Sequence, residues 1–453
     1  MRQTLFEIPF EYHGIPIFRF GVLLAVWVLF SAGLLWWLSR KQGFNADTKS
    51  YIPLLALVAL AIIFLPKVFD GALPIRGYGV MMLLGVASGV ALAVHRARQV
   101  GIHPEVVYSF AFWMFISGIV GARLFHVRQK WEELYRIPDE GELDYGRTVI
   151  NIINVPGGGL VVYGALIGVA LALVAFIWKN NLPGLAFCDL IAPGMALGLA
   201  LGRIGCLMNG CCFGGQCDGA LAITFPFGSP PHIRQVGDGE IPLHGLKLKG
   251  AEHEAVVIAS VETGSAADKA GFKAGDRIDS VRRKVLSSDE VGVTRRIHNR
   301  QQITNYLLEL KEPGQSIDIS VPAKKLTFRT LTVQSPPRGS LPVHPTQIYS
   351  AINGLLMCLF LVAYTPFRRR DGEVFALLLT IYPIARYLIE EIRADEAATG
   401  IVPITISQWV SVLILLAIVG LWIVIVRRPR GSAVALSPLA SPPPAATTPA
   451  AKS

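Results

Sequence analysis

Apolar runs long enough to cross a bilayer recur along this chain, and they restrict its fold more than any other feature. Hydrocarbon offers the backbone no water, so each run must satisfy its own N–H and C=O groups, which a stretch of about 20 residues does as an α-helix. Nine runs qualify, at roughly 20–38, 51–66, 77–94, 105–121, 158–178, 186–206, 348–366, 373–390 and 406–426. Only 16% of the residues are charged and 52% are hydrophobic, which excludes an ordinary soluble protein. The expected fold class is a polytopic all-α membrane protein.

Charge placement then orients the spans. Arg40-Lys41, His95 to Arg98, Lys179, Arg368 to Arg370 and Arg427-Arg428 all flank apolar runs. Strict alternation puts every one of them in the cytoplasm if the N-terminus is outside and the C-terminus cytoplasmic. The formal net charge of +10 is thus membrane-flanking charge and does not call for a nucleic-acid partner. Glu7 and Glu11 precede the first run and no A-x-A-like site follows it, so a retained helix is expected there instead of a cleaved signal peptide. The segment Ile15 to Val22 echoes Leu73 to Val80, each opening a span; duplication and shared helix-entry chemistry both account for this.

Between 219 and 340 the chain becomes charged, Gly-punctuated and alternating, with strand-like stretches at Ala255 to Ala259 and Ser316 to Val321. The run from Ser260 to Ile278 resembles the G-S-x-A-x-x-A-G-[LF]-x-x-G-D-x-I signature of PDZ domains, which implies a small β-rich extracytoplasmic insert and a candidate peptide ligand. The expected layout is two additional N-terminal helices (1–72), a first part of the membrane core (73–218), the insert (219–340), a second part of the core (341–430) and a disordered Pro/Ala-rich tail (431–453).

Ionisable groups in a membrane are costly and point to function. Arg123, Arg203, Arg386, Glu390, Glu391 and Arg393 all fall, by this topology, at the outer ends of spans. Gly202 and Gly205 flank Arg203 and let a headgroup approach a guanidinium suited to gripping phosphate. Arg386 and Glu390 share a helical face and would also suit an intrahelical ion pair. Tyr163 follows Gly157-Gly158-Gly159, Tyr349 opens the seventh run, and both would also suit an interfacial belt. His344, before Pro345, is a turn residue or a general base.

Taken together, Gly202-Arg203-Ile204-Gly205 continuing to Asn209-Gly210, the Gly158-to-Gly168 stretch, His344-Pro345-Thr346-Gln347-Ile348-Tyr349, and Arg386 to Glu390 with Arg393 resemble the bacterial prolipoprotein diacylglyceryl transferase family. The resemblance covers about 73–215 and 341–427. It implies a multi-pass enzyme of the bacterial cytoplasmic (inner) membrane that moves the diacylglyceryl group of phosphatidylglycerol onto the lipobox cysteine of a prolipoprotein signal peptide, without a cofactor. It implies further that Arg203, Arg386, Arg393 and Asn209 bind the phospholipid and that Tyr163, Arg386, Glu390, His344 and Tyr78 form the catalytic set. Three positions depart from the family pattern: Tyr163 stands where a histidine is usual, Cys206 where asparagine is, and Cys211 where glutamate is. Tyrosine is a poor base near neutral pH, so His344, Tyr78 or Glu390 is expected to share the deprotonation of the attacking thiol.

Four of six cysteines, Cys206, Cys211, Cys212 and Cys217, crowd into one stretch on the expected oxidising side, so one or two disulfides are expected and no metal. Cys188 and Cys358 read as small core hydrophobes. An intramembrane metalloprotease is excluded, since the candidate His253-Glu254 run has Val257 where a second histidine would stand. A catalytically altered lipid- or lipoprotein-binding scaffold is the alternative to the enzyme.

Overall fold

The computed structural model describes residues 3–43, 46–67, 72–135, 138–139, 142–154, 158–249, 256–283, 294–297, 299–322, 326–333, 339–394 and 404–431. The tail expected beyond 431 and the His253-Glu254 pair lie outside these residues. Helices in chain order are α1 (Val22–Gln42), α2 (Ala46–Phe64), α3 (Gly77–Gln99), α4 (Pro104–Gln129), α5 (Tyr145–Ile153), α6 (Val162–Lys179), α7 (Gly184–Asn209), α8 (Pro230–Gly237), α9 (Ala266–Lys269), α10 (Arg300–Glu309), α11 (Thr346–Tyr364), α12 (Glu373–Glu390) and α13 (Ile406–Arg427).

Seven helices, α1, α3, α4, α6, α7, α11 and α13, are long and apolar enough to cross a membrane, so the chain is a mostly helical, polytopic membrane protein. The other two expected spans also form helices. Their sequences are less uniformly apolar: α12 carries Glu373, Arg386 and Glu390 within 18 residues, and α2 opens on Ala46-Asp47-Thr48-Lys49-Ser50.

The chain divides into two compact units, Met82–Ile204 with His344–Ser453, and Met1–Met81 with Gly205–Val343. In the first, glycines set the helix spacing. A side chain at Gly121 would stand 2.4 Å from the Gly164 carbonyl oxygen, and one at Gly168 would stand 2.3 Å from that of Ser117, so α4 and α6 touch backbone to backbone. Gly89 and Gly194 bring α3 and α7 together in the same way, a Cβ on Gly194 falling 2.5 Å from the Gly89 oxygen. Asp189, fully buried on α7, accepts from the backbone N–H groups of Gly372 (2.7 Å) and Phe375 (2.8 Å) and so caps α12 from inside the bundle. At α13 a capping box closes the N-terminus: Thr405 accepts from Gln408 N at 3.2 Å and the Gln408 side chain accepts from Thr405 N at 2.8 Å.

The second unit holds the insert. Leu246–Lys249, Val256–Val261 and Arg277–Ile278 form one antiparallel sheet in that order. Thr294–Arg296, Ser280–Arg283, Ser316–Pro322 and Leu326–Thr332 form another. Alternation along Ser316–Pro322 sends Ile317, Ile319 and Val321 into a core with Leu246, Ile258, Ile278, Ile303 and Leu307. The Gly-Ser-x-x-Asp motif is helix-start chemistry: Ser265 accepts from Asp268 N at 3.2 Å, and Asp268 accepts from Gly264 N at 2.8 Å. Thr4–Pro9, ahead of the first apolar run, pairs antiparallel with Ala72–Arg76 in this unit.

Candidate active site

Arg386 and Glu390 lie one turn apart on α12 and are ion-paired; Arg393, just past the helix end, donates to the same Glu390 carboxylate at 3.1 Å. Arg386 also donates to Ser407 Oγ of α13 at 2.9 Å. Arg203, from α7, is within electrostatic reach of Arg386. Glu390 is only 3% exposed, whereas Glu391 accepts from Gln408 at 2.7 Å. Two guanidinium groups therefore share one buried carboxylate, and a third, that of Arg203, stands close enough to Arg386 to act on its charge. In a medium of low dielectric a gathering of guanidinium groups attracts anions, and planar guanidinium forks suit phosphate oxygens.

Arg123 behaves differently. It is buried at the end of α4, and its donors go to backbone carbonyls: Ile152 (2.9 Å), Asn151 (2.6 Å), Asn154 (2.9 Å), Gly159 (3.1 Å) and Gly158. It clamps the end of α5 to the loop entering α6. Gly159 sits at φ +79°, and a Cβ there would fall 2.6 Å from His126 Cε1 and 2.9 Å from an Arg123 nitrogen, so only glycine fits. Tyr163, in the first turn of α6, is half-buried a few residues beyond this loop.

His126 is a residue that sequence reasoning missed. Its Nδ1 bonds the Tyr135 hydroxyl at 2.8 Å and its ring stands edge-on to that tyrosine, 5.8 Å between centroids. The available signal was its place one turn after Arg123 at the same span end. His344 is half-buried, with its Nδ1 unpartnered among the described residues and its ring 6.4 Å from that of Tyr349. It lies at the start of α11, in the same unit as Arg203, Arg386, Glu390, Arg393 and Tyr163.

Tyr78 and Asn209 belong to the other unit. Tyr78, 39% exposed, packs at Gly205, where a Cβ would stand 3.3 Å from its ring; Asn209 ends α7, and its carbonyl accepts from Gln3 Nε2 at 3.2 Å. Among the described residues, no disulfide joins Cys206, Cys211, Cys212 or Cys217. Sulfurs of the first three gather within 4.8 Å of one another, whereas Cys217 stands apart and accepts from Gly219 N at 3.3 Å.

The insert side of this unit contains a cavity of about 400 Å³ lined by Phe227, His232, Glu240, His244, Glu262 and Ser265 among others. His232 is 1% exposed and stacks obliquely on Phe227 at 4.7 Å. Burial, with the neighbouring His244, pushes it down to about 4. His244 Nε2 meets the Leu307 carbonyl at 2.9 Å; burial lowers its pKa too, against the opposing pull of that hydrogen bond.

Comparison with known proteins bears directly on these motifs. The phosphatidylglycerol–prolipoprotein diacylglyceryl transferase of Rhodopirellula baltica is 30% identical over 455 residues, spanning 92% of this chain and 88% of that protein. The corresponding protein of Clostridium tetani is 23% identical over 79% of this chain and 95% of its own length, and that of Deinococcus radiodurans is 36% identical over 31% of this chain and 40% of its own. The sequence profile of the prolipoprotein diacylglyceryl transferases matches residues 66–425, across both halves of the membrane region and the insert between them, and the chain belongs to that family.

Proposed function

We propose that the chain transfers the diacylglyceryl group of phosphatidylglycerol to the thiol of the lipobox cysteine of prolipoproteins, the first step of lipoprotein maturation. The observation that carries this reading is the gathering of Arg386 and Arg393 on Glu390, with Arg203 in electrostatic reach of Arg386. A phospholipid phosphate suits that gathering of donors, and the same donors stabilise the charge that develops on the departing glycerol phosphate. Arg203, Arg386 and Arg393 hold the phosphate, and Glu390 fixes the arginine forks. Tyr163 supplies a hydroxyl beside the loop that Arg123 clamps. His344, with its unpartnered Nδ1, is the best-suited base for the incoming thiol. Asn209 and Tyr78 are carried over from the motif alone.

The finer architecture belongs to the same proposal. Nine spans, with α2 and α12 crossing alongside the other seven, put the N-terminus outside and the C-terminus in the cytoplasm of the inner membrane. The insert is a PDZ-like extracytoplasmic domain. Leu246–Lys249 lies at the edge of its sheet, and such an edge accepts an extended peptide as an added strand.

The test is transfer by purified protein in phosphatidylglycerol nanodiscs, from a labelled donor to a lipobox peptide. Thioether product with the Cys peptide and none with a Ser peptide is expected. A folded protein that binds the lipid and transfers nothing would instead favour a binding scaffold, consistent with tyrosine at position 163.

A further inference from the structure

Arg96 lies in the last turn of α3, only 8% exposed, and the fold uses just part of its guanidinium. Nη2 donates at 2.7 Å to Thr365 Oγ1, just past the end of α11, and that hydroxyl passes its own proton to the Leu361 carbonyl at 2.7 Å. Thr365 therefore holds the guanidinium in place and has no donor left for a ligand. Nη1 is buried and has no hydrogen-bond partner among the described residues. A buried charged donor left unmet is costly and needs an account. Asp189, a carboxylate within electrostatic reach of Arg96, is already engaged by Arg368 at 3.5 Å and by the N–H groups of Gly372 and Phe375.

Arg96 and Arg368 border one cavity of about 60 Å³, with Thr365 and Gln99 beside them and Val100 and Leu190 as an apolar wall. That volume holds about four to six water-sized groups, the size of one phosphate with its four oxygens. Arg368 is itself paired with Asp189 and, at 3.8 Å, with Asp371, so Arg96 is the cation that these carboxylates do not pair. Ala186 brings the first turn of α7 to the same cavity, and the dipole of that 26-residue helix favours an anion at its start. Water would satisfy Nη1 alone, whereas an oxyanion also answers two guanidinium charges and a helix dipole against an apolar wall. All of these residues belong to one compact unit. Within it, Arg368 precedes α12, and Arg386 stands 13 residues beyond Glu373, about 20 Å by helical rise, so the cavity is separate from the arginines around Glu390. Trp178, 82% exposed at the end of α6, marks interfacial depth next to the start of α7, a depth at which phospholipid phosphates lie.

We propose that Arg96 and Arg368 form a phosphate-binding site at the end of the membrane helices away from Arg386. Its ligand is a tetrahedral phosphate, carried by a phospholipid headgroup at that side of the membrane or free in solution there. Arg96 supplies the unmet donor, Arg368 a second positive charge and α7 the positive end of its dipole. Gln99 stands exposed at the mouth, turned to His95 at 3.1 Å, so the entrance lies at the end of α3. Residues of α3, of α7 and of the segment after α11 all border the cavity, and a bound phosphate ties them together. The site binds and does not react, and it stands apart from the transfer chemistry.

The experiment is equilibrium dialysis of the full chain, in micelles of a detergent that carries no phosphate, against two radiolabelled probes: inorganic phosphate and dihexanoyl phosphatidic acid. The chain carries Arg386→Ala throughout, which weakens the other arginine group and leaves this site intact. Saturable binding of a single equivalent is expected, weakened by about 10–100-fold when Arg96→Gln is added, the usual worth of a hydrogen bond to a charged group. Arg96→Lys keeps the charge without the fork and should fall between the two. Binding of phosphatidic acid alone assigns the site to a lipid headgroup, binding of phosphate alone assigns it to a free anion, and binding of both shows that the phosphate suffices; each supports the site. Binding of neither probe, or binding that Arg96→Gln leaves unchanged in a chain with its helical circular dichroism intact, would overturn the site and leave the cavity to water. Should Arg96→Gln fail to fold, Arg96→Lys and Thr365→Val, which frees the guanidinium from its anchor, decide the matter, and undiminished binding in both would overturn the site equally.

Discussion

Arg123 and the Arg203–Arg386–Arg393 group all lie at or near the ends of predicted spans, yet they have opposite surroundings. Arg123 is met by neutral carbonyls of its own fold: Ile152, Asn151, Asn154, Gly158 and Gly159 take its donors. Of the other three, Arg386 and Arg393 converge on Glu390, and Arg203 is within electrostatic reach of Arg386. A buried cation whose donors are used by backbone organises a loop, whereas arginines gathered around a carboxylate form a cluster of charge that suits an anionic ligand. The partner inventory separates the two roles, and burial alone does not.

The comparison breaks most visibly at Arg386. Arg386→Ala should lower transfer by about 10²–10³-fold, the usual loss for a preorganised donor aimed at developing charge, with insertion and thermal stability retained. Arg386→Lys keeps the charge without the fork and should fall between the two. Transfer at the wild-type rate by purified Arg386→Ala would place this arginine with Arg123.

Arg123→Ala should act on stability. Stripping a buried donor set from several carbonyls costs about 2–4 kcal/mol, less than the sum of the single bonds because such losses do not add. Thermal unfolding in detergent should shift down, while the fraction that stays folded turns over normally. A stable Arg123→Ala protein with lost transfer would contradict the structural role.

The same distinction extends to the insert, where His232 is buried neutral. Its folded value is about 4 against about 6.5 when unfolded, so the unfolded state binds the proton more readily between those limits. The contribution is fully present above about pH 6.5 and is lost as the pH falls towards about 4, up to about 3 kcal/mol in all. His244 adds in the same direction. Hydrogen exchange of the insert in the full chain, corrected for intrinsic rate, should report this slope, and His232→Phe should flatten it. An unchanged slope in that variant would assign the pH dependence elsewhere.

Seven long apolar helices were legible in the sequence because a bilayer demands them, and the arginines near helix ends stood out because charge is rare there. Asp189 was not legible: within an apolar run, nothing local shows that the carboxylate caps α12, whose start lies 184 residues away in sequence at Glu373. Arg123 and Arg203 looked alike, since their difference lies in long-range partners. The cysteines were read by spacing, but their convergence depends on the left-handed Cys212, which spacing does not encode. Nothing local marks Thr4–Pro9 as a strand, because its partner, Ala72–Arg76, lies beyond two intervening helices.

The smallest expected effect is at Ser265, whose hydroxyl, like the guanidinium of Arg123, is used by the fold. It accepts from Asp268 N at 3.2 Å and packs against Gly245, where a Cβ would fall 2.0 Å from it. Ser265→Ala removes a helix cap and should cost the insert about 1 kcal/mol. Ser265→Thr, which keeps the hydroxyl, should cost less. Exchange should quicken across 256–283 while the membrane helices stay as protected as before. Transfer should not change, because the cap serves the insert's own backbone. If Ser265→Ala lowered transfer with the insert still fully protected, Ser265 would be serving a ligand, and saturation by backbone partners would no longer suffice to mark a residue as structural.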